Sequence, residues 1–157
     1  MIDQDSFRSV LGRFASGVTV VTGLDEAGND QGMTVSAFCS LSLDPPLILI
    51  CVDGVASMYE SLEKAPGFIV NILSESQEPL ARRFSGPDPN RFDGIGYARG
   101  MNGVAILDDV LGYLECSKVA SHPGGDHTVY IGEVEFAQSR EGRPLLYYRG
   151  GYAQLER

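Results

Sequence analysis

Short apolar runs, each closed by a Gly, Pro or Asp turn, recur from Val18 to Leu155, and too few helical stretches separate them to build βα units. Parallel strands need a crossover of a dozen or more residues, whereas antiparallel neighbours need only a turn. The pattern therefore points to a mainly β chain, a small antiparallel barrel with a few short helices, over a doubly wound sheet. Val18 to Leu24 reads as a strand, Glu26 to Asp30 as a turn, and Gly32 to Leu41 as the returning arm of a hairpin. Leu47 to Val52 is an unbroken apolar run, the mark of a buried strand. Phe68 to Leu73, Leu111 to Ala120, Thr128 to Ala137 and Leu145 to Leu155 complete the set.

Helical spacing occurs in three places. Phe7, Val10, Leu11 and Phe14 fall at i, i+3, i+4 and i+7, with Asp5 or Ser6 to cap the start and Gly17 to end the helix. Ser57 to Lys64 sets Met58 and Leu62 four apart. Ser76 to Phe84 does the same with Leu80 and Phe84, and Pro79 sits in its first turn. Between Gly86 and Gly103, five glycines and two prolines with little periodicity predict a long loop.

A chain of 157 residues suits one domain spanning residues 1–157. Its net charge of -9 argues against nucleic acid, whose binding rests on phosphate neutralisation by Lys and Arg. Cys39, Cys51 and Cys116 form no CxxC pair, and no apolar run approaches the roughly 20 residues of a membrane span, so a cytoplasmic protein is expected.

The stretch from Gly32 to Ile50 places Thr34, Ser36, Ser40 and Ser42 at period two before a Pro45-Pro46 stop. On an extended chain these hydroxyls share one face, leaving Val35 and Leu41 to pack the other. Such a strand is either a ligand wall or an edge strand with a solvated polar face. Other motifs fail. Gly94-Ile95-Gly96-Tyr97-Ala98-Arg99-Gly100 carries its last glycine one residue late for GxGxxG and lies in no strand-turn-helix context. Ser61-Leu62-Glu63-Lys64 has SxxK spacing without its partner motifs. Cys116, His122 and His127 match no zinc spacing, so no metal is expected.

The hydroxyl block also resembles the central signature of the flavin reductase family, FMN-binding split-barrel proteins that reduce flavin with NAD(P)H. Phe14-Ala15-Ser16-Gly17-Val18-Thr19-Val20-Val21-Thr22 is similar to the family's opening. Ser36-Ala37-Phe38 and Ser40-Leu41-Ser42-Leu43-Asp44-Pro45-Pro46 are similar to its centre. Phe68 to Leu73, Gly125-Asp126-His127, Ile131 to Val134 and Pro144 to Tyr152 follow in the family's order.

The resemblance implies a split barrel that binds FMN or FAD, takes hydride from NADH or NADPH, and supplies reduced flavin to a monooxygenase, as a homodimer. A tightly FMN-binding electron carrier or oxidase, or a binding module without turnover, shares the fold. Carried over by residue, it sets Thr34, Ser36 and Ala37 beside ribityl and phosphate, Cys39, Ser40 and Leu41 along the ring edge, and Ser57 on the phosphate. Arg83, Phe84 and Arg91 would close over the ligands, Tyr152 would flank them, and His127 would meet the nicotinamide. One departure stands out: Val55-Ala56-Ser57-Met58 lacks the polar, often basic, residues usual around that serine. Hydride transfer between stacked rings asks the protein for binding and orientation, which suits a chain with two histidines and no acid-base triad.

Overall fold

The computed structural model describes residues 1–156. The chain runs through α1 (Gln4–Leu11), β1 (Ser16–Gly17), β2 (Thr19–Leu24), β3 (Asp30–Val35), β4 (Phe38–Ser42) and β5 (Leu47–Asp53). Helix α2 (Tyr59–Lys64) leads to β6 (Gly67–Ile72), a 3-10 turn (Glu75–Gln77) and α3 (Glu78–Ser85). There follow β7 (Tyr97–Arg99), β8 (Ala105–Leu107), β9 (Gly112–Gly124), β10 (His127–Ser139), β11 (Leu145–Tyr148) and β12 (Gly151–Gln154).

Seven strands form one antiparallel sheet in the order β3-β2-β6-β9-β10-β5-β4. Its two edges, β3 and β4, are joined by Ser36 and Ala37 alone. Such a link reaches about 10 Å at most, so the sheet must curl until its edges meet. Because seven antiparallel strands give the first and last the same sense, β3 and β4 are one strand with a break in it. The expected continuous strand from Gly32 to Leu41 is thus split, leaving the β2 edge at Val35 and joining β5 at Phe38.

Strand β2 is buried on both faces and separates two cores. Inside the barrel, Val21, Val35, Ile48, Ile50, Val52, Phe68, Val70 and Tyr130 pack with Met58 and Leu62 from the α2 region. Outside it, Val18, Val20, Leu73, Ala81, Phe84, Leu107, Val110 and Leu145 join α3 to the small sheet β1-β11-β12. A buried polar latch crosses the layers. Asn71 Nδ2 donates to Val20 O (2.9 Å) and Thr22 Oγ1 (3.1 Å), its Oδ1 accepts from Leu107 N (3.0 Å), and Thr22 Oγ1 donates to Ala105 O (2.6 Å).

Several expectations shift. Helix α1 is capped by Asp3, which accepts from Ser6 N at 2.8 Å, and ends at Gly12, short of Gly17. Its apolar stripe is exposed, because none of the described residues covers it. Leu145 to Leu155 is a hairpin, folded back at Arg149 and Gly150, whose φ values of 52° and 77° suit a two-residue turn between Tyr148 and Gly151. The glycine-rich stretch holds β7, paired with β8 and tied down by an ion pair between Arg99 and Asp30. Among the described residues, no helix is long and apolar enough to cross a membrane.

Candidate functional site

The break between β3 and β4 makes an exposed polar wall on the barrel. Ser36 O accepts from Phe38 N and Ala37 O from Cys51 N, both at 3.0 Å, which swings the chain onto β5. Ser36, Ala37, Cys39, Ser40 and Leu41 are all exposed. Strand β4 pairs only with β5, so every second backbone N–H and C=O points to an open edge. A flat heterocycle with alternating donors and acceptors on its rim fits such an edge.

The four-hydroxyl face does not survive. Thr34 Oγ1 donates to Ala81 O at 2.6 Å and so anchors α3 on β3. Ser36 lies in the link, and a bulge separates Ser40 from Ser42. Leu41, expected inside, is exposed, whereas Val35 is buried as expected.

Across β5 stands the second half of the site. Ile48, Ile50 and Val52 point into the barrel, which leaves Leu49, Cys51 and Asp53 on its outer face. Register carries that face onto β10, where Asp53 opposes His127, Cys51 opposes Val129 and Leu49 opposes Ile131. Cys39, opposite Leu49 and so in line with Ile131, therefore shares one outer face with His127, two strands over and four residues further along, on the order of 16 Å away. Burial and the nearby Cys39 push the Cys51 thiol up.

His127 Nδ1 lies 2.7 Å from Asp126 Oδ1, and that hydrogen bond holds the Asp126 carboxyl below its ordinary range. An ionised carboxylate can only accept, so Nδ1 carries the proton and Nε2 is the nitrogen left for a ligand. Gly54 N donates to Asp126 O at 2.9 Å, which fixes this turn on the end of β5. Asp126 as the orienting partner was visible only as the residue before His127.

The residues expected to close over a ligand have other work. Phe84 is wholly buried in the outer core, edge-on to Phe92 at 5.1 Å, and makes no part of the exposed wall. Arg83 donates to Arg91 O (2.8 Å), Asn90 O (3.0 Å) and Asp93 O (2.6 Å). Arg91 donates to Gly32 O (2.7 Å), Gly86 O (2.6 Å) and Asp88 O (3.3 Å). Together the two guanidiniums clasp the loop 86–93 against β3, a demand set by unpaired loop carbonyls that spacing does not reveal. Tyr152 is half-buried against Tyr147, with the Arg82 guanidinium 5.0 Å from its ring centre. Ser57 is exposed in a cleft with Asp25, Glu26, Glu60 and Lys64, whose ammonium is held by Glu60 (3.0 Å) and Glu26 (3.3 Å). No Lys or Arg occurs in residues 36–57 or 119–139, the segments that build the wall. Among the described residues, no three His, Cys, Asp or Glu side chains are grouped to hold a metal.

The family described as "Flavin reductase like domain" matches residues 11–156. The reductase subunit HsaB of a flavin-dependent monooxygenase from Rhodococcus jostii is 40% identical over 156 residues, covering 99% of this chain and 80% of that protein. An NADH-dependent flavin reductase of a Rhodococcus species is 41% identical over 153 residues, covering 95% of this chain and 85% of its own. Among solved structures, the Streptomyces globisporus NADH:FAD oxidoreductase SgcE6, in complex with NAD and FAD fragments, superposes with a TM-score of 0.93. Its identity is 35%, covering 98% of this chain and 93% of that one.

Proposed function

The chain belongs to the flavin reductase-like family, and from that premise we propose that residues 1–157 form one unit that reduces flavin at the Ser36–Leu41 wall. It is an NAD(P)H:flavin oxidoreductase, and the reduced flavin supplies a partner monooxygenase. Acceptance of a hydride is the chemistry that a bound flavin contributes. The protein's share is positioning. The open edge of β4 supports the reading best, since its free backbone groups from Cys39 to Leu41 can bind the rim of a heterocycle. Ser36 and Ser40 add hydroxyls, and Ala37 leaves room for close approach. His127, oriented by Asp126, offers Nε2 to a nicotinamide carboxamide on the same outer face. An exposed wall favours a flavin that leaves after reduction over one held permanently. A second copy of the chain completes the site, and the free cysteines fit a reducing cytoplasm.

NADH and NADPH oxidation measured against added FMN and FAD tests the activity, and flavin retained through gel filtration would argue for a prosthetic group. Ser36→Val is expected to weaken FMN binding by about tenfold, or about 1.4 kcal/mol, with the melting temperature unchanged. Unaltered affinity would show that this hydroxyl serves no ligand. His127→Ala is expected to raise KM for the nicotinamide about tenfold while FMN affinity stays within about twofold, because ring positioning is lost and flavin capture is not. A parallel loss of both affinities with a fallen melting temperature would make His127 a structural residue.

A further inference from the structure

We propose that His122 holds the diphosphate of the nicotinamide dinucleotide, so that the hydride donor is gripped at two points, its ring end by His127 and its charged end by His122. This role rests on the flavin reading above, which sets the nicotinamide at His127. Strand register carries the outer face of the barrel beyond β10 onto β9. Ala37 faces Cys51 on β5, Cys51 faces Val129 on β10, and Val129 faces His122 on β9. In the next row Asp53 faces His127, and His127 faces Gly124. His122 therefore shares a face with His127 and lies diagonal to it, at about 7–8 Å between positions. It stands three strand spacings, about 14 Å, from the wall at Ala37. The floor between is half-buried and apolar, made by Cys51, Val129, Ile131 and Ala120, and a flat ring can lie on it.

Three carboxylates decide which way the diphosphate runs from His127. Asp53 opposes His127 on β5, Asp126 is bonded to its Nδ1, and Glu133 closes the far end of this face of β10. A diphosphate laid toward any of them meets like charge. Toward β4 the wall is taken by the flavin. The remaining direction crosses Val129 and Gly124 and leads to His122. Gly124 has no side chain to obstruct it, whereas a Cβ there would come against Val129 Cγ2 at 4.0 Å.

His122 is also the side chain left to receive the charge. Residues 119–139 contain no Lys or Arg, so the two imidazoles alone can carry positive charge there. His127 Nδ1 is engaged by Asp126, while His122 is exposed and, among the described residues, enters no side-chain hydrogen bond or ion pair. An imidazole donates one N–H when neutral and two when protonated, and a neighbouring anion favours the protonated form. Beyond Lys118, β9 pairs with β10 alone, so backbone groups along this edge stay open to the same ligand.

Two hydride donors separate a phosphate contact from a ring contact. NADH carries the diphosphate, and 1-benzyl-1,4-dihydronicotinamide carries the same ring and carboxamide without it. At saturating FMN, His122→Ala is expected to raise KM for NADH about tenfold with kcat within about twofold, while kcat/KM for the benzyl donor stays within about twofold of the parent. His127→Ala, by contrast, should penalise both donors. His122→Lys is expected to bring KM for NADH back to within about threefold, since an ammonium also binds phosphate. An unchanged KM for NADH in His122→Ala overturns the proposal. An equal loss with both donors does so too, because that is the mark of a structural residue. A tenfold loss of FMN affinity with KM for NADH unmoved would give the imidazole to the flavin phosphate instead and overturn it as well. A parent that oxidises neither donor with FMN or FAD present would overturn the flavin reading itself, and the role of His122 with it, a result distinct from all of these.

Discussion

Phe84→Ala is expected to destabilise the fold by about 3–5 kcal/mol, the range for truncating a buried aromatic ring. For a chain of this length that corresponds to a melting temperature lower by roughly 10 °C. The ring is wholly buried and packs with Val18, Val20, Leu73, Ala81 and Leu107 where α3 meets the outer face of β2. The site resists collapse. Gly32 is there because a Cβ at that position would come within 2.6 Å of the Phe84 ring, and Arg91 holds that same wall by donating to Gly32 O. Chemical denaturation gives the loss directly. Flavin affinity, measured where the variant is still folded, should stay within about twofold of the parent, since the ring forms no part of the exposed wall. A large loss of affinity with little loss of stability would return Phe84 to the ligand.

Asn71→Ala is expected to cost about 3–4 kcal/mol, because it orphans three buried groups on two strands at once. Leu107 N loses its acceptor, and Val20 O and Thr22 Oγ1 lose a donor. Asn71→Leu keeps the volume and should be no better, which separates the lost hydrogen bonds from a cavity. The damage should be local as well as global. Strand β8 is held on the barrel by Leu107 N and Ala105 O, so the Tyr97–Leu107 hairpin should open first and become a site of limited proteolysis. Thr22→Val should show the same pattern, and the double variant should lose less than the two single losses added. Additive effects would mean that the latch does not act as a unit.

The polar latch was legible in part. An Asn inside the apolar run Phe68 to Leu73 signals a buried amide with work to do, although its partners on β2 and β8 lie 36 to 51 positions away, beyond the reach of any local pattern. The loop clasp made by the arginines was hidden for a related reason. Arg83 and Arg91 sit in a loop-flanking segment where a phosphate contact and a loop clasp demand the same side chain. Only the positions of the Gly86, Asp88, Asn90 and Asp93 carbonyls tell the two apart.

Alternation, turn residues and apolar runs by themselves determined that this chain is mainly β, where most strands lie, and that Ser36 to Leu41 is unlike its surroundings. Those properties are local, set by side-chain period and backbone preference within a few residues. Tertiary structure alone decided that β3 and β4 are the two edges of one sheet, since that follows from closing a barrel with a two-residue link. It also decided that Thr34 and Phe84 serve the packing of α3, that His127 shares a face with Cys39, and that α1 is left uncovered. Each of these depends on which strand lies beside which, and register between distant segments is fixed by burial of the whole core, which no single stretch of the sequence carries.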